Sequence, residues 1–332
     1  MTNPSAASCA CHAAPDAAIF DETATLAERR PVSRDTFRLS LRSPRIAAAA
    51  RPGQFVNVLL PSPDFGYRVL AREDEALLAA GDTGATLIRR PFSICNAYPS
   101  DGGEARDTID LLVKVVGRGT ALLAALEAGT ELSILGPLGN TFTLPPEGAS
   151  AALVAGGCGW AGLTMLAHAL RGRGHPTYAL IGAATVEDLP LPTVEGPRPE
   201  AFGDAMPHVC ATSVQLQELG ITVAMAAEQG GAAYRGLVTD LLERFLATEE
   251  GKGAHVYACG PWPMLRVVAA LAKAAGSPCQ VSMEERMGCG IGVCNSCVVE
   301  VVLPDGAIGH KKLCVDGPVL DAAEVNWDQE QY

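Results

Sequence analysis

Near the carboxyl end, Cys289, Cys294, Cys297 and Cys314 follow the spacing C-x4-C-x2-C-x16-C, among glycines and short β-type runs. Such a segment folds around something its thiolates bind. The first three positions match the loop spacing that wraps a plant-type [2Fe–2S] cluster. One loop can then offer two thiolates to one iron and share the other iron with a distant fourth cysteine. Gly288, Gly290 and Gly292 let the backbone approach the inorganic sulfides without Cβ clashes and aim amide N–H groups at them. A structural zinc site could use the same four thiolates. Zinc ribbons, however, usually carry two C-x2-C hairpins, and this segment has one. The spacing therefore favours the iron–sulfur cluster, with these four cysteines as metal ligands.

The chain has 11 cysteines in all. Its start, MTNPSAASCACHAAPDAA, is small and polar, without the apolar block of a secretory leader. A cytoplasmic location with reduced thiols is expected. Cys95, Cys158, Cys210 and Cys279 read as plain buried thiols. Cys9, Cys11 and His12 crowd together with no second cluster, which makes a poor tetrahedral site. With 25 Lys+Arg against 37 Asp+Glu the net charge is −12, which argues against nucleic acid as a partner. Residues 151–170 are apolar enough to suggest a membrane span, but Gly156, Gly157, Gly159 and Gly162 cluster there. A buried strand, a glycine turn and a helix explain the segment better.

At 332 residues and 48% hydrophobic, the chain suits a multidomain protein with sizeable cores. Residues 1–17 read as a disordered tail. From 18 to 148, GQFVNVLL (53–60), RRPFSICNA (89–97), TIDLLVKVV (108–116) and TELSILG (130–136) are strand-like runs, with one helix-like patch at 121–129. This predicts a β-barrel domain carrying one helix, interrupted by a polar excursion at 63–88. From 149 to 280, strand and helix patterns alternate, which predicts an α/β domain with a parallel sheet. Strand candidates there include HVCATS (208–213), and the Pro-rich stretch 189–207 reads as a loop. Residues 281–332 form a small C-terminal cluster domain.

An iron–sulfur centre takes one electron at a time, whereas nicotinamide delivers two as hydride, so a chain handling both needs a converter such as flavin. Arg90-Pro91-Phe92-Ser93 can hold a pyrophosphate and a flavin ring edge. Gly117-Arg118-Gly119-Thr120 offers free N–H groups at a helix start. Gly156, Gly157 and Gly159, with Cys158 between, stand where a dinucleotide diphosphate can sit at a strand–helix turn. Cys259, before Gly260 and Pro261, closes another strand. It is either a catalytic thiol facing the nicotinamide or a small core residue.

RRPFSI, GRGT, GPLGNTF (136–142), the glycine turn, GLVTD (236–240), YACGPWPML and SMEERMGCGIGVCNSC…KKLCVDGPV occur here in one order. In that order they resemble the ferredoxin–NADP reductase superfamily, and specifically the electron-transfer subunits of type B, NAD-dependent dihydroorotate dehydrogenase. The resemblance covers roughly residues 20–326. It implies an FAD domain, an NAD domain and a C-terminal [2Fe–2S] domain. FAD contacts are implied at Arg90, Pro91, Phe92 and Ser93, at Leu112, Val113 and Lys114, and at Gly119 and Thr120. It further implies a role in pyrimidine biosynthesis beside an FMN-containing catalytic subunit, two of each in a heterotetramer. Electrons would enter through the cluster, pair on FAD and leave to NAD+, and this chain alone would not oxidise dihydroorotate. The third domain is then expected to fold back over the flavin edge. Two departures from the family pattern stand out: Trp160, expected to crowd the nicotinamide side, and Gln229-Gly230 in place of an acidic–glycine pair.

Two other readings remain open at this point. One is a sister flavin and iron–sulfur NAD(P)H oxidoreductase subunit serving ferredoxin, sulfide or hydrogenase partners. The other is a non-catalytic redox sensor or scaffold. The stretch Ala183-Ala184-Thr185-Val186-Glu187-Asp188 has no cation for a 2′-phosphate, so NADH should reduce the bound flavin faster than NADPH does. Stopped-flow bleaching of the flavin checks this, and an equal or faster rate with NADPH refutes it.

Overall fold

The computed structural model describes residues 18–60, 89–99, 107–206, 208–229, 231 and 233–329. The 1–17 tail with Cys9, Cys11 and His12, the 63–88 excursion and Gly230 lie outside the described residues. Six antiparallel strands form a closed barrel: β1 (Phe20–Ser33), β2 (Thr36–Arg42), β3 (Phe55–Leu59), β4 (Arg89–Tyr98), β5 (Thr108–Lys114) and β6 (Glu131–Leu138). Their order is β1-β2-β5-β4-β3-β6. Alternation along the strands sends Leu39, Leu41, Val56, Val58, Ile109, Leu111, Val113 and Ile134 into one shared interior.

Among the described residues two short helices border the barrel, α1 (Pro44–Ala49) and α2 (Arg118–Ala124), where the sequence allowed for one. α1 has six residues, too few to show a period. Pro44 presets its first turn, and the Glu22 carboxylate accepts from the Ser43 hydroxyl and the Ile46 N–H.

The second half carries β7 (Ala151–Gly156), β8 (Thr177–Ala183), β9 (Val194–Pro197), β10 (Val209–Thr212), β11 (Thr222–Ala227), β12 (Tyr234–Arg235), β13 (His255–Cys259) and β14 (Cys279–Ser282). Its helices are α3 (Trp160–Gly172), α4 (Val214–Glu218), α5 (Val238–Leu246) and α6 (Trp262–Ala274). At the C-terminal end, β15 (Val298–Val302) and β16 (Ile308–Lys312) pair as a hairpin, and β17 (Val319–Asp321) follows. The large sheet runs β12-β11-β8-β7-β13-β14-β17, with every pairing parallel except the last.

Two sequence expectations are corrected here. The stretch 189–207 is not merely a loop, since it contains β9 and a 3₁₀ segment at Glu200–Ala205. HVCATS supplies β10, but β10 pairs with β9 in a separate antiparallel ribbon. The central strands β7 and β11 are buried over nearly their whole length, whereas β10 opens with exposed Val209, which suits a ribbon edge.

The C-terminal segment does not stand apart. β17 extends the large sheet through Gln280↔Asp321, Val281↔Leu320 and Ser282↔Val319. One core runs without a break from Val154, Val256 and Val281 to Cys297, Val299, Leu313 and Cys314. Asn140 fastens the barrel exit to the same strand. Its backbone N–H donates to Gly317 O (2.6 Å), its Nδ2 to Asp316 O (3.1 Å) and Val319 O (2.8 Å), and its Oδ1 accepts from Val319 N (2.9 Å).

At the turn between β7 and α3 the packing leaves no tolerance. A Cβ on Gly159 would stand 2.2 Å from the carbonyl oxygen of Cys259. Backbone cannot yield as a flexible side chain can, so Gly159→Ala should lower the unfolding free energy by about 1–3 kcal/mol. Gly172→Ala, at the far end of α3 with nothing within 4 Å, should be neutral or stabilising by up to about 1 kcal/mol. Paired denaturant titrations measure both. Equal stability of the two variants contradicts the packing argument.

Candidate functional site

A cleft of about 960 Å³ opens where the barrel, the carboxyl ends of the parallel strands and the C-terminal segment meet. Ligands of open parallel sheets bind at those strand ends. On the barrel side, β4 supplies Pro91, Phe92 and Ser93, β5 supplies Leu112 and Lys114, and Thr120 comes from α2. Val113, between two wall residues, points into the barrel core instead, as the two-residue period requires. Arg90 is half-buried and off the wall, and Gly119 backs onto Leu60, whose Cδ1 would lie 2.5 Å from an added Cβ. The Thr120 hydroxyl closes the turn, accepting from Val116 N (2.9 Å) and Gly117 N (3.2 Å) while donating to Gly117 O (3.0 Å).

Across the cleft stand Gly156, Gly157, Cys158 and Gly159. Gly157 has φ +52°, and a Cβ on Gly156 would meet Met264 Sδ and Pro261 Cδ at 2.7 Å. A ligand's phosphates could therefore approach bare backbone here. Trp160 does not crowd the cleft. It is buried beneath the turn among Ala155, Leu163 and Leu166, and Thr164 Oγ1 donates to its carbonyl (2.9 Å).

Cys259 is also absent from the wall. It is 1% exposed, and burial drives its thiol far above the ordinary value. Gly162 is what admits it there: a Cβ at Gly162 would lie 3.2 Å from Cys259 Sγ and 3.7 Å from Ser93 Oγ. The thiol thus sits just behind the wall near Ser93.

Several wall residues were not singled out from the sequence. The segment Ser282–Glu285 with Met287 and Pro318 forms the floor, and Gly236–Thr239 with Met264 closes one side. Both stretches occur in motifs that carry the resemblance, but no local spacing marks them as a site. Glu284 opens to solvent through the cleft mouth while protein surrounds it on most other sides, and this desolvation raises its carboxyl. At the far end lie Ala183, Ala184, Asp188 and Glu228, with Asp188 Oδ2 accepting from Thr185 Oγ1 (2.9 Å).

Beyond the floor, the cysteine loop is wired by backbone amides. Ile291, Val293 and Cys294 N–H groups point at Cys289 Sγ (3.3–3.4 Å), and Gly292 N–H points at Cys314 Sγ (3.2 Å). Gly290 and Gly292 both have positive φ, +72° and +85°. Lys312 Nζ donates to Gly292 O (2.7 Å) and ties the loop to β16. The four thiols are neighbours: Cys294 lies beside Cys289, and Cys314 lies near both Cys297 and Cys289. Among the described residues, no three His, Cys, Asp or Glu side chains gather as a site for one metal ion. Four neighbouring cysteines on a segment rich in N–H donors fit a binuclear cluster, whose sulfides those donors would serve.

Residues 284–326 match the family model described as the iron–sulfur cluster binding domain of dihydroorotate dehydrogenase B. Two relatives bear the name dihydroorotate dehydrogenase B (NAD(+)), electron transfer subunit. The one from Desulforamulus reducens is 31% identical over 90% of this chain and 95% of its own length. The one from Bacillus caldolyticus is 34% identical over 92% and 98%. Among solved structures, a chain of the NADH-dependent reduced ferredoxin–NADP oxidoreductase, studied for flavin-based electron bifurcation, superposes with TM-score 0.68. It is 25% identical, over 92% of this chain and 90% of that one. Phthalate dioxygenase reductase shares the fold at TM-score 0.50 and 17% identity, over 89% and 94%. No helix among the described residues is long and apolar enough to cross a membrane.

Proposed function

Because the chain belongs to the family of dihydroorotate dehydrogenase B electron transfer subunits, we propose that it carries electrons from an FMN-containing catalytic subunit to NAD+ in pyrimidine biosynthesis. It works in the cytoplasm, in a heterotetramer of two subunits of each kind. The observation that carries this reading is a shared wall. Glu284, Glu285 and Met287 lie within the matched iron–sulfur domain and also floor the cleft, together with Ser282 and Met283. Bound FAD supplies the exchange between one-electron and hydride carriers.

The residues divide that work. Pro91, Phe92 and Ser93 hold the flavin ring edge, Arg90 meets the pyrophosphate charge, and Leu112, Lys114, Thr120 and the backbone of Val113 and Gly119 complete the FAD side. Gly156, Gly157 and Gly159 admit the nicotinamide dinucleotide. Asp188 and Glu228, on the same wall, disfavour a 2′-phosphate by charge. Cys259 shapes the wall from behind, since a thiol raised so far by burial stays protonated and cannot act as a base. Cys289, Cys294, Cys297 and Cys314 ligate the cluster.

Co-purification with an FMN barrel subunit tests the assignment. Dihydroorotate should then reduce NAD+, and Cys297→Ser should abolish that coupled activity while NADH still bleaches the flavin. A complex that reduces ferredoxin but ignores dihydroorotate overturns the assignment in favour of a sister oxidoreductase.

A further inference from the structure

The outer face of β3 presents Phe55 and Asn57, while Val56 and Val58 point into the barrel. Phe55 lines the cleft and joins the core that contains Cys297 and Cys314. Asn57 is 1% exposed and lies directly opposite Pro91 in the β3–β4 ladder. Pro91 brings no N–H, and the Asn57 carbonyl accepts instead from Arg89 Nη1 (3.2 Å). The side chain reaches the other way, where Nδ2 donates to the carbonyl of Cys289 (3.1 Å).

Two features mark this contact as more than packing. Asn57 Oδ1 is buried without a hydrogen-bond partner, a cost that an apolar residue of similar size would avoid. Asn140, a few residues beyond the neighbouring strand β6, shows the contrast, with both ends of its amide satisfied. The cysteine loop is also cut to receive the amide: a Cβ on Gly290 would stand 1.8 Å from Asn57 Nδ2, and Gly290 has φ +72°. The loop touches the barrel at a glycine, beside a cluster ligand, on the strand that pairs with the flavin wall.

We propose that Asn57 is a positioning residue for electron exchange, holding the Cys289 loop at a fixed place against the Pro91–Ser93 wall. The proposal rests on the reading above and names a determinant of its internal step. That step passes electrons between cluster and FAD. It can be run in reverse from NADH, which gives a hydride to FAD so that one of its two electrons can move to the oxidised cluster.

The test uses the full-length holoprotein and two variants. Asn57→Leu removes both the bond and the stranded oxygen, and Asn57→Asp sets an acceptor against the Cys289 carbonyl. After anaerobic mixing with NADH, flavin bleaching follows the first step, and freeze-quenched EPR of the reduced cluster follows the second. Flavin bleaching should stay at the wild-type rate in Asn57→Leu, with the melting temperature unchanged or raised. The reduced-cluster signal should grow several-fold more slowly in both variants, because electron transfer slows as the gap between flavin and cluster widens.

Cluster reduction at the wild-type rate in Asn57→Leu overturns the proposal. So does iron loss from Asn57→Leu with the wild-type rate kept in the loaded fraction, since the amide would then only retain the loop. A wild-type cluster that NADH leaves oxidised strikes at the functional reading and takes the proposal with it. Slow cluster signals in the variants beside a fast wild type uphold both.

Discussion

The return of the chain's end to its own sheet is the contact on which everything else rests. β17 adds antiparallel to β14, and Asn140 binds it from the barrel exit through both its backbone and its amide. Those bonds place Ser282–Glu285 and Met287 between the sheet and the barrel, where they become the floor of the cleft. They also merge the cysteine segment into the same buried core as the parallel strands. The cysteine segment, which leaves Ile291 and Val293 exposed, gains its rigidity from that merger as well as from the cluster it fits.

The two sides of the cleft use different means. On the barrel wall Leu112 and Lys114 alternate with inward Val113 as the strand period requires, whereas Pro91, Phe92 and Ser93 line it consecutively. The opposite wall is built from the absence of side chains: Gly156 and Gly159 sit where any Cβ would strike a neighbour, and Gly162 lets Cys259 pack close. Burial likewise sorts the thiols. Cys95 is pushed up to about 11 and Cys279 to about 12, chiefly by desolvation, so both stay protonated and inert at neutral pH. Cys294, exposed in the loop, is held down to about 6, first by its hydrogen bond with Ser296. The ligand cysteines span both extremes, since desolvation first of all pushes Cys314 up to about 12.

Much of this was legible in the sequence wherever the signal was local. The cysteine spacing, the glycine turn after a buried strand and four of the barrel strands each occupy a few consecutive residues, and the three-part architecture followed from them. β1 gave no such signal because it is dense in charge, with Asp21, Glu22, Glu28, Arg29 and Arg30, and fully buries only Ala24 and Leu26. Trp160 misled because an aromatic beside a glycine turn suggests a ligand contact, whereas the helix phase turns it into the core. Glu284 and Asn57 belong to a different class. Asn57 meets the Cys289 carbonyl across 232 positions of sequence, and no periodicity or spacing encodes a contact that only the closed fold brings together.

The account stands or falls on what the four carboxyl-terminal thiols hold beside the cleft. Metal and flavin analysis of the anaerobically purified chain, with Mössbauer spectra of the iron, examines this directly. One [2Fe–2S] cluster and one FAD per chain are expected, with all iron sites sulfur-coordinated. Full occupancy by zinc, or a chain that binds iron but no flavin, would contradict it.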